Sequence, residues 1–146
     1  MLVAGPVART LVAVSGAALG TWTAEELALI DVAVELEIAV RRPDDVLRQA
    51  TPIWVVRLDD RVFVRTWYRR ESGWFGAVLR SHRARVRVPG LAAEVTVEDV
   101  RDADPGLRAA IDAAYRSKYG GGAASMVTDA AAATTLRLAP ERPSGR

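Results

Sequence analysis

Two pairs of β-branched runs, each broken by a two-residue turn, restrict this chain to a fold built from antiparallel hairpins. Residues 53–58 (IWVVRL) and 61–67 (RVFVRTW) flank Asp59-Asp60, and residues 84–88 (ARVRV) and 91–100 (LAAEVTVEDV) flank Pro89-Gly90. Runs of this composition on either side of a two-residue turn are hairpin signals. Pairing Leu58 with Arg61 sets the first register, and a slip of one residue would turn every side chain to the opposite face. One face then carries Ile53, Val55, Val62 and Val64 and is a core face. The other carries Trp54, Val56, Phe63 and Arg65, with Trp54 across from Arg65. It is apolar enough to be covered by a helix, a ligand or another subunit, and a covered Arg65 needs an anionic or hydrogen-bonding partner. In the second hairpin Arg85 and Arg87 point one way, Val86 and Val88 the other.

Helices punctuate these strands. Thr23 and Glu26 have capping-box spacing, with Trp22 and Leu27 at staple positions, so a helix starts there. Its period gives way near Glu35 to the alternation Leu36, Ile38, Val40 of a strand. Residues 73–82 read as a short helix with Phe75, Val78 and Leu79 inward. Asp104 followed by Pro105 opens a longer helix that ends at Tyr119 before Gly120–Gly122. The stretch GGGAASMVTDAAAA reads as a flexible loop, and TTLRL (134–138) as a last strand. The expectation is an α+β domain: a small antiparallel barrel of five to six strands with two or three flanking helices, over residues 21–140.

Length and composition agree. A chain of 146 residues with a 50% hydrophobic fraction fits one domain that needs no covalent staple. With no Cys and one His, thiolate chemistry, zinc sites and His-activated nucleophiles are excluded. Residues 1–20 are apolar with only Arg9 charged. They read as an extension or extra strand of a cytoplasmic protein, with an export signal as the alternative; Gly5, Pro6, Arg9 and Gly16 argue against a membrane span. Residues 141–146 read as a disordered tail.

Charge is unevenly spread. Of 20 basic residues only Lys118 is not Arg, and nine Arg (57, 61, 65, 69, 70, 80, 83, 85 and 87) fall between positions 57 and 87 against Asp59, Asp60 and Glu71. Guanidinium groups grip phosphate or carboxylate with two-point geometry, so an anionic small molecule is a candidate ligand; the alternative is a solvated surface. Nucleic acid is not expected as a partner, because acidic residues from Glu94 to Asp112 offset the cluster and the sequence offers no recognition helix.

The segments TWTAEELALI, ELEIAVRRPD, IWVVRLDDRVFVRTW, GWF, IDAAYRSKYG and TTLRLAP resemble an uncharacterised bacterial family, number 2255 among domains of unknown function, over Thr21 to Pro140. The order hairpin, Trp-containing short helix, Arg-Val hairpin also resembles the split β-barrel of flavin-binding oxidoreductases, such as pyridoxamine phosphate oxidases and deazaflavin-dependent reductases. That second resemblance implies a homodimer holding FMN or deazaflavin and acting on a small organic substrate. Its phosphate-binding side chains correspond to Arg65 and Thr66, with Trp67, Trp74, Arg80 and Arg83 nearby, although the Trp residues serve equally as packing.

Two further readings stand beside it. A cofactor-independent barrel would orient a largely apolar metabolite with Trp54, Arg57, Glu37 or Tyr115. Tyr115 and Lys118, on one helical face with Tyr119, could form a proton-transfer group because a Lys lowers a nearby phenol's pKa; tyrosines at a helix end also simply pack.

Overall fold

The computed structural model describes residues 20–66, 73–102 and 104–142. Trp67, Arg69 and Arg70, together with residues 1–19 and 143–146, lie outside them. The chain runs through α1 (Ala24–Val32), β1 (Leu36–Val40), β2 (Thr51–Ile53), β3 (Val55–Leu58), β4 (Arg61–Val64), α2 (Gly73–Ser81), β5 (Arg83–Val88), β6 (Leu91–Asp99), α3 (Pro105–Tyr119), a 3-10 segment (Gly120–Met126), α4 (Asp129–Ala132) and β7 (Leu136–Pro140). No helix among the described residues is long and apolar enough to cross a membrane.

All strands pair antiparallel in the order β2-β1-β5-β6-β7-β4-β3. The two ends of that order, β2 and β3, are separated in sequence only by Trp54, so the sheet curls round into a nearly closed barrel. The run IWVVRL reads as a single strand from its sequence. In the fold the strand begins at Thr51 and bends at Trp54, serving β1 before the bend and β4 after it. Pro52 has no amide hydrogen to donate and limits the ladder on the β2 side. This division raises the strand count among the described residues to seven, above the five to six read from the sequence.

Hairpin registers follow the turns. Leu58 faces Arg61 and Val88 faces Leu91, and β5 alternates exposed Arg with buried Ala and Val. Side chains of the two faces feed two clusters. The barrel interior collects Leu36, Ile38, Val55, Val62, Val64, Val86, Leu138 and their neighbours. The outer face of β3 and β4 supplies Val56 and Phe63, which α3 covers with Ile111 and Tyr115, joined by Ala123 and Met126. Of the three possible covers for that face, a helix of the same chain is the one present.

Capping fixes the helices. Thr23 Oγ1 accepts from the Glu26 amide at 3.1 Å and Glu26 Oε1 accepts from the Thr23 amide at 2.9 Å. Asp104 Oδ1 accepts from the Leu107 amide at 2.9 Å, with Pro105 at the first helical position of α3.

The Gly-rich segment after α3 is ordered, contrary to the flexible loop its composition suggests. Thr128 caps α4 through the Ala131 amide at 3.1 Å, and Ala123, Met126, Ala131 and Ala132 are buried. Small side chains let this backbone lie close against the barrel, and burial there outweighs poor helix propensity.

Gly20 is needed for a related reason. A Cβ on it would lie 2.3 Å from the Pro140 carbonyl oxygen and 2.5 Å from that of Arg142. Gly20→Ala is expected to destabilise the fold by about 1–3 kcal/mol through overpacking, read as a lowered urea midpoint. Arg142 is anchored as well, donating to Glu26, and Glu141 accepts from Arg83.

Candidate functional site

Barrel closure brings the loop after β1 alongside α2 and opens a cleft of about 320 Å³ between them, lined by Val40, Arg42, Pro43, Arg48, Ala77 and Arg80. The loop is a built hairpin tip. Arg41 bridges Leu47, the Arg42 amide donates to Val46 O at 2.9 Å and the Arg48 amide to Val40 O at 2.8 Å. Asp45 makes the turn at φ +71°, a left-handed conformation that Asp tolerates better than most residues.

Three Arg residues therefore line one cleft together with Val40, Pro43 and Ala77, and few of the described carboxylates pair with them. Arg42 Nε is 3.8 Å from Asp44, and Arg48 Nη1 donates to Gly73 O at a long 3.4 Å. No ion pair joins Arg80 to another of the described residues. The neighbouring cations Arg41, Arg83 and Arg85 are by contrast matched to Glu94, Glu141 and Asp45. The Arg83 guanidinium is held more firmly protonated by its hydrogen bond to Glu141. Arg side chains gathered with little local compensation are suited to a multivalent oxyanion, because a guanidinium can offer it a two-point contact.

Among the candidate site residues that are described, only Arg80 lines this cleft. Arg65 is 1% exposed and its polar atoms are taken up inside the protein. Nη1 donates to Asp112 Oδ1 at 2.5 Å and to Met126 O at 2.8 Å, and Nε donates to Thr135 Oγ1 at 2.8 Å. The partner that a covered Arg65 demands is thus a carboxylate of α3. Thr66 is buried and its amide donates to Thr134 Oγ1 at 2.9 Å. Trp74 packs partly buried against the core, edge-on to Phe75. Arg83 belongs to the ion pairs already named. Trp54 stacks on Tyr119 with ring centroids 4.1 Å apart and planes 2° apart, and Arg57 lies half-buried on β3. Glu37 accepts from Arg87 on the barrel's outer surface.

Tyr115, Lys118 and Tyr119 do come together, in a knot that ties α3 to α1 and the barrel seam. Lys118 Nζ donates to Ile30 O at 3.3 Å, near the C-terminal end of α1, and to Val55 O at 2.9 Å. Tyr119 Oη accepts from the Val55 amide at 3.1 Å and donates to Val34 O at 2.7 Å. Burial raises the Tyr115 phenol well above its ordinary value, and Tyr119 is raised for the same reason, while burial lowers the Lys118 ammonium. A phenol pushed upward is poorly suited to lose a proton near neutrality, and Tyr115 is fully buried.

Sequence reading missed Arg42 and Arg48. They lie outside the stretch richest in Arg, and the signal that could have found them is the Arg-Pro-Asp-Asp turn followed by a further Arg, which presents two guanidiniums from one tight loop.

The profile of a family described as an uncharacterized protein conserved in bacteria, DUF2255, matches residues 26–138. The chain belongs to the DUF2255 family. None of the curated proteins matches this DUF2255 member in sequence. Solved structures share its fold. The conserved hypothetical protein Rv2991 of Mycobacterium tuberculosis superposes with a TM-score of 0.58 at 16% identity, over 88% of this chain and 86% of the other. A Bacteroides thetaiotaomicron protein provisionally assigned to 5-nitroimidazole antibiotic resistance gives 0.57 at 12% identity over 84% of each chain. A NimC/NimA family protein of Clostridium acetobutylicum gives 0.50 at 12% identity over 80% of each. The DUF2255 chain is accordingly a small antiparallel split β-barrel.

Proposed function

We propose that this DUF2255 protein binds a phosphate-bearing flavin-type redox cofactor, FMN or a deazaflavin, and serves as an oxidoreductase for a small organic substrate. The observation that carries the reading is the meeting of Arg42, Arg48 and Arg80 at one cleft where, among the described residues, Asp44 is the carboxylate paired with any of the three, the nearby Asp45 being engaged by Arg41 and Arg83. A cavity of about 320 Å³ falls within the roughly 300–1,000 Å³ typical of small-molecule sites. The donor set fits the phosphate end of such a cofactor: the guanidiniums would hold the phosphate, and Val40, Pro43 and Ala77 offer an apolar surface to the rest of the molecule. When bound, the cofactor supplies hydride transfer; the chain's own residues anchor it and exclude water from one side.

The alternative of a cofactor-independent site gains less support, because Glu37, Arg57 and Tyr115 lie on three separate parts of the barrel. The reading is tested by the visible spectrum of the purified protein and by its melting in the presence of added FMN or deazaflavin. Flavin absorbance, or a melting midpoint raised by saturating cofactor, is the expected result. Colourless protein with no response to either compound contradicts it.

A further inference from the structure

The two walls of the cleft come from distant parts of the chain. One is the hairpin tip 41–48, which carries Arg42 and Arg48; the other is α2, which carries Arg80. A side-chain ion pair joins the tip to β5, the strand that directly follows α2. Arg83, three residues beyond Arg80, donates through Nη1 to Asp45 Oδ1 at 3.0 Å. Arg83 is itself held by Glu141 through Nε at 2.9 Å. Ser81 Oγ, 3.4 Å from the Arg83 amide, and His82 at φ +60° fix the corner from which Arg83 emerges. On the other wall Arg41 Nη1 donates to Asp45 O at 2.6 Å while its Nε and Nη2 hold Glu94. Asp45 is thus gripped from both sides: Arg41 Nη1 donates to its carbonyl and lies 3.6 Å from Oδ1, while Arg83 of β5 donates to Oδ1.

We propose that the Asp45–Arg83 pair is a positioning strap that sets the separation of the Arg42/Arg48 wall from the Arg80 wall and so controls affinity for a phosphate-bearing ligand. The inference rests on the cleft being the cofactor site. It gives Arg83 a role one step removed from the ligand, whereas the resemblance implies direct contact.

Electrostatics alone and positioning predict opposite signs, which makes the strap testable. Removing a carboxylate beside a cationic cleft strengthens anion binding by simple Coulomb attraction. Loosening the wall weakens it. Asn accepts the left-handed backbone of residue 45 nearly as well as Asp, so Asp45→Asn leaves the turn intact.

The experiment titrates FMN into wild type, Asp45→Asn, Arg83→Gln and the double variant, with amide exchange measured on the same proteins without ligand. Asp45→Asn is expected to bind FMN about five-fold more weakly, on the scale of an exposed ion pair, with the double variant no weaker than the weaker single one. Without ligand, the Arg42 and Arg48 amides are expected to exchange faster in Asp45→Asn. FMN binding by Asp45→Asn as tight as or tighter than wild type overturns the strap. If wild type itself binds no FMN, the cofactor reading fails, and unchanged exchange at Arg42 and Arg48 then separately overturns the strap.

Discussion

Replacing Asp112 with Ala is expected to lower the unfolding free energy by about 3–5 kcal/mol, the range for a buried ion pair that loses one partner. Arg65 is 1% exposed and the Asp112 side chain 13% exposed, so the guanidinium left behind would regain hydration only through the small cavity of about 120 Å³ that it lines beside Arg108 and Asp129. Thr135 Oγ1 and Met126 O would still accept from it, but neither carries charge. Arg108 Nε, 3.6 Å from the other carboxylate oxygen, would lose that partner too, at smaller cost because it is more exposed. Replacing both members, Arg65→Met with Asp112→Leu, is expected to recover most of the loss, since well-packed apolar groups often match a buried pair. Urea unfolding of wild type and the two variants measures this. A loss under about 1 kcal/mol for Asp112→Ala would mean that the pair is more hydrated than its burial implies.

Tyr119→Ala is expected to cost about 3 kcal/mol, the low end for truncating a packed aromatic residue because the side chain is half-buried. Its ring stacks on Trp54, the residue at which the sheet bends, and its hydroxyl links the Val55 amide to Val34 O. Tyr119→Phe separates the two contributions. It retains the stack and leaves the buried Val55 amide without that acceptor, for a loss of about 1–3 kcal/mol. Urea midpoints of both variants provide the check, and a Phe variant as stable as wild type would show that the hydroxyl does not help to hold the seam.

Local chemistry is readable from the sequence and long-range chemistry is not. The Thr23/Glu26 box, the Asp104-Pro105 start, and both hairpin registers depend on residues a few positions apart, and each stands where spacing places it. The need of Arg65 for a partner is legible from the face it shares with Trp54, Val56 and Phe63. That the partner is Asp112, 47 residues on, depends on how α3 lies across β3 and β4. The bend at Trp54 is hidden because IWVVRL has uniform strand character, and nothing local shows that it serves two partners. The order of the Gly- and Ala-rich segment 120–132 is hidden for the opposite reason: its propensities point to a loop, and only packing against the barrel decides otherwise. Arg42 and Arg48 escape notice because the excess of Arg lies further along the chain, and only closure of the barrel brings the 41–48 tip beside Arg80.

The cleft at Arg42, Arg48 and Arg80 is tested most directly by comparing FMN with riboflavin, which carries the same ring and ribityl chain without the phosphate. Calorimetric titration of both ligands into wild type and Arg80→Gln isolates the phosphate contact. Wild type is expected to favour FMN, and Arg80→Gln to lose about ten-fold of that preference, the equivalent of roughly 1.4 kcal/mol for one charge-assisted contact. Equal affinity of wild type for the two ligands, or an unchanged FMN preference in Arg80→Gln, would contradict the assignment.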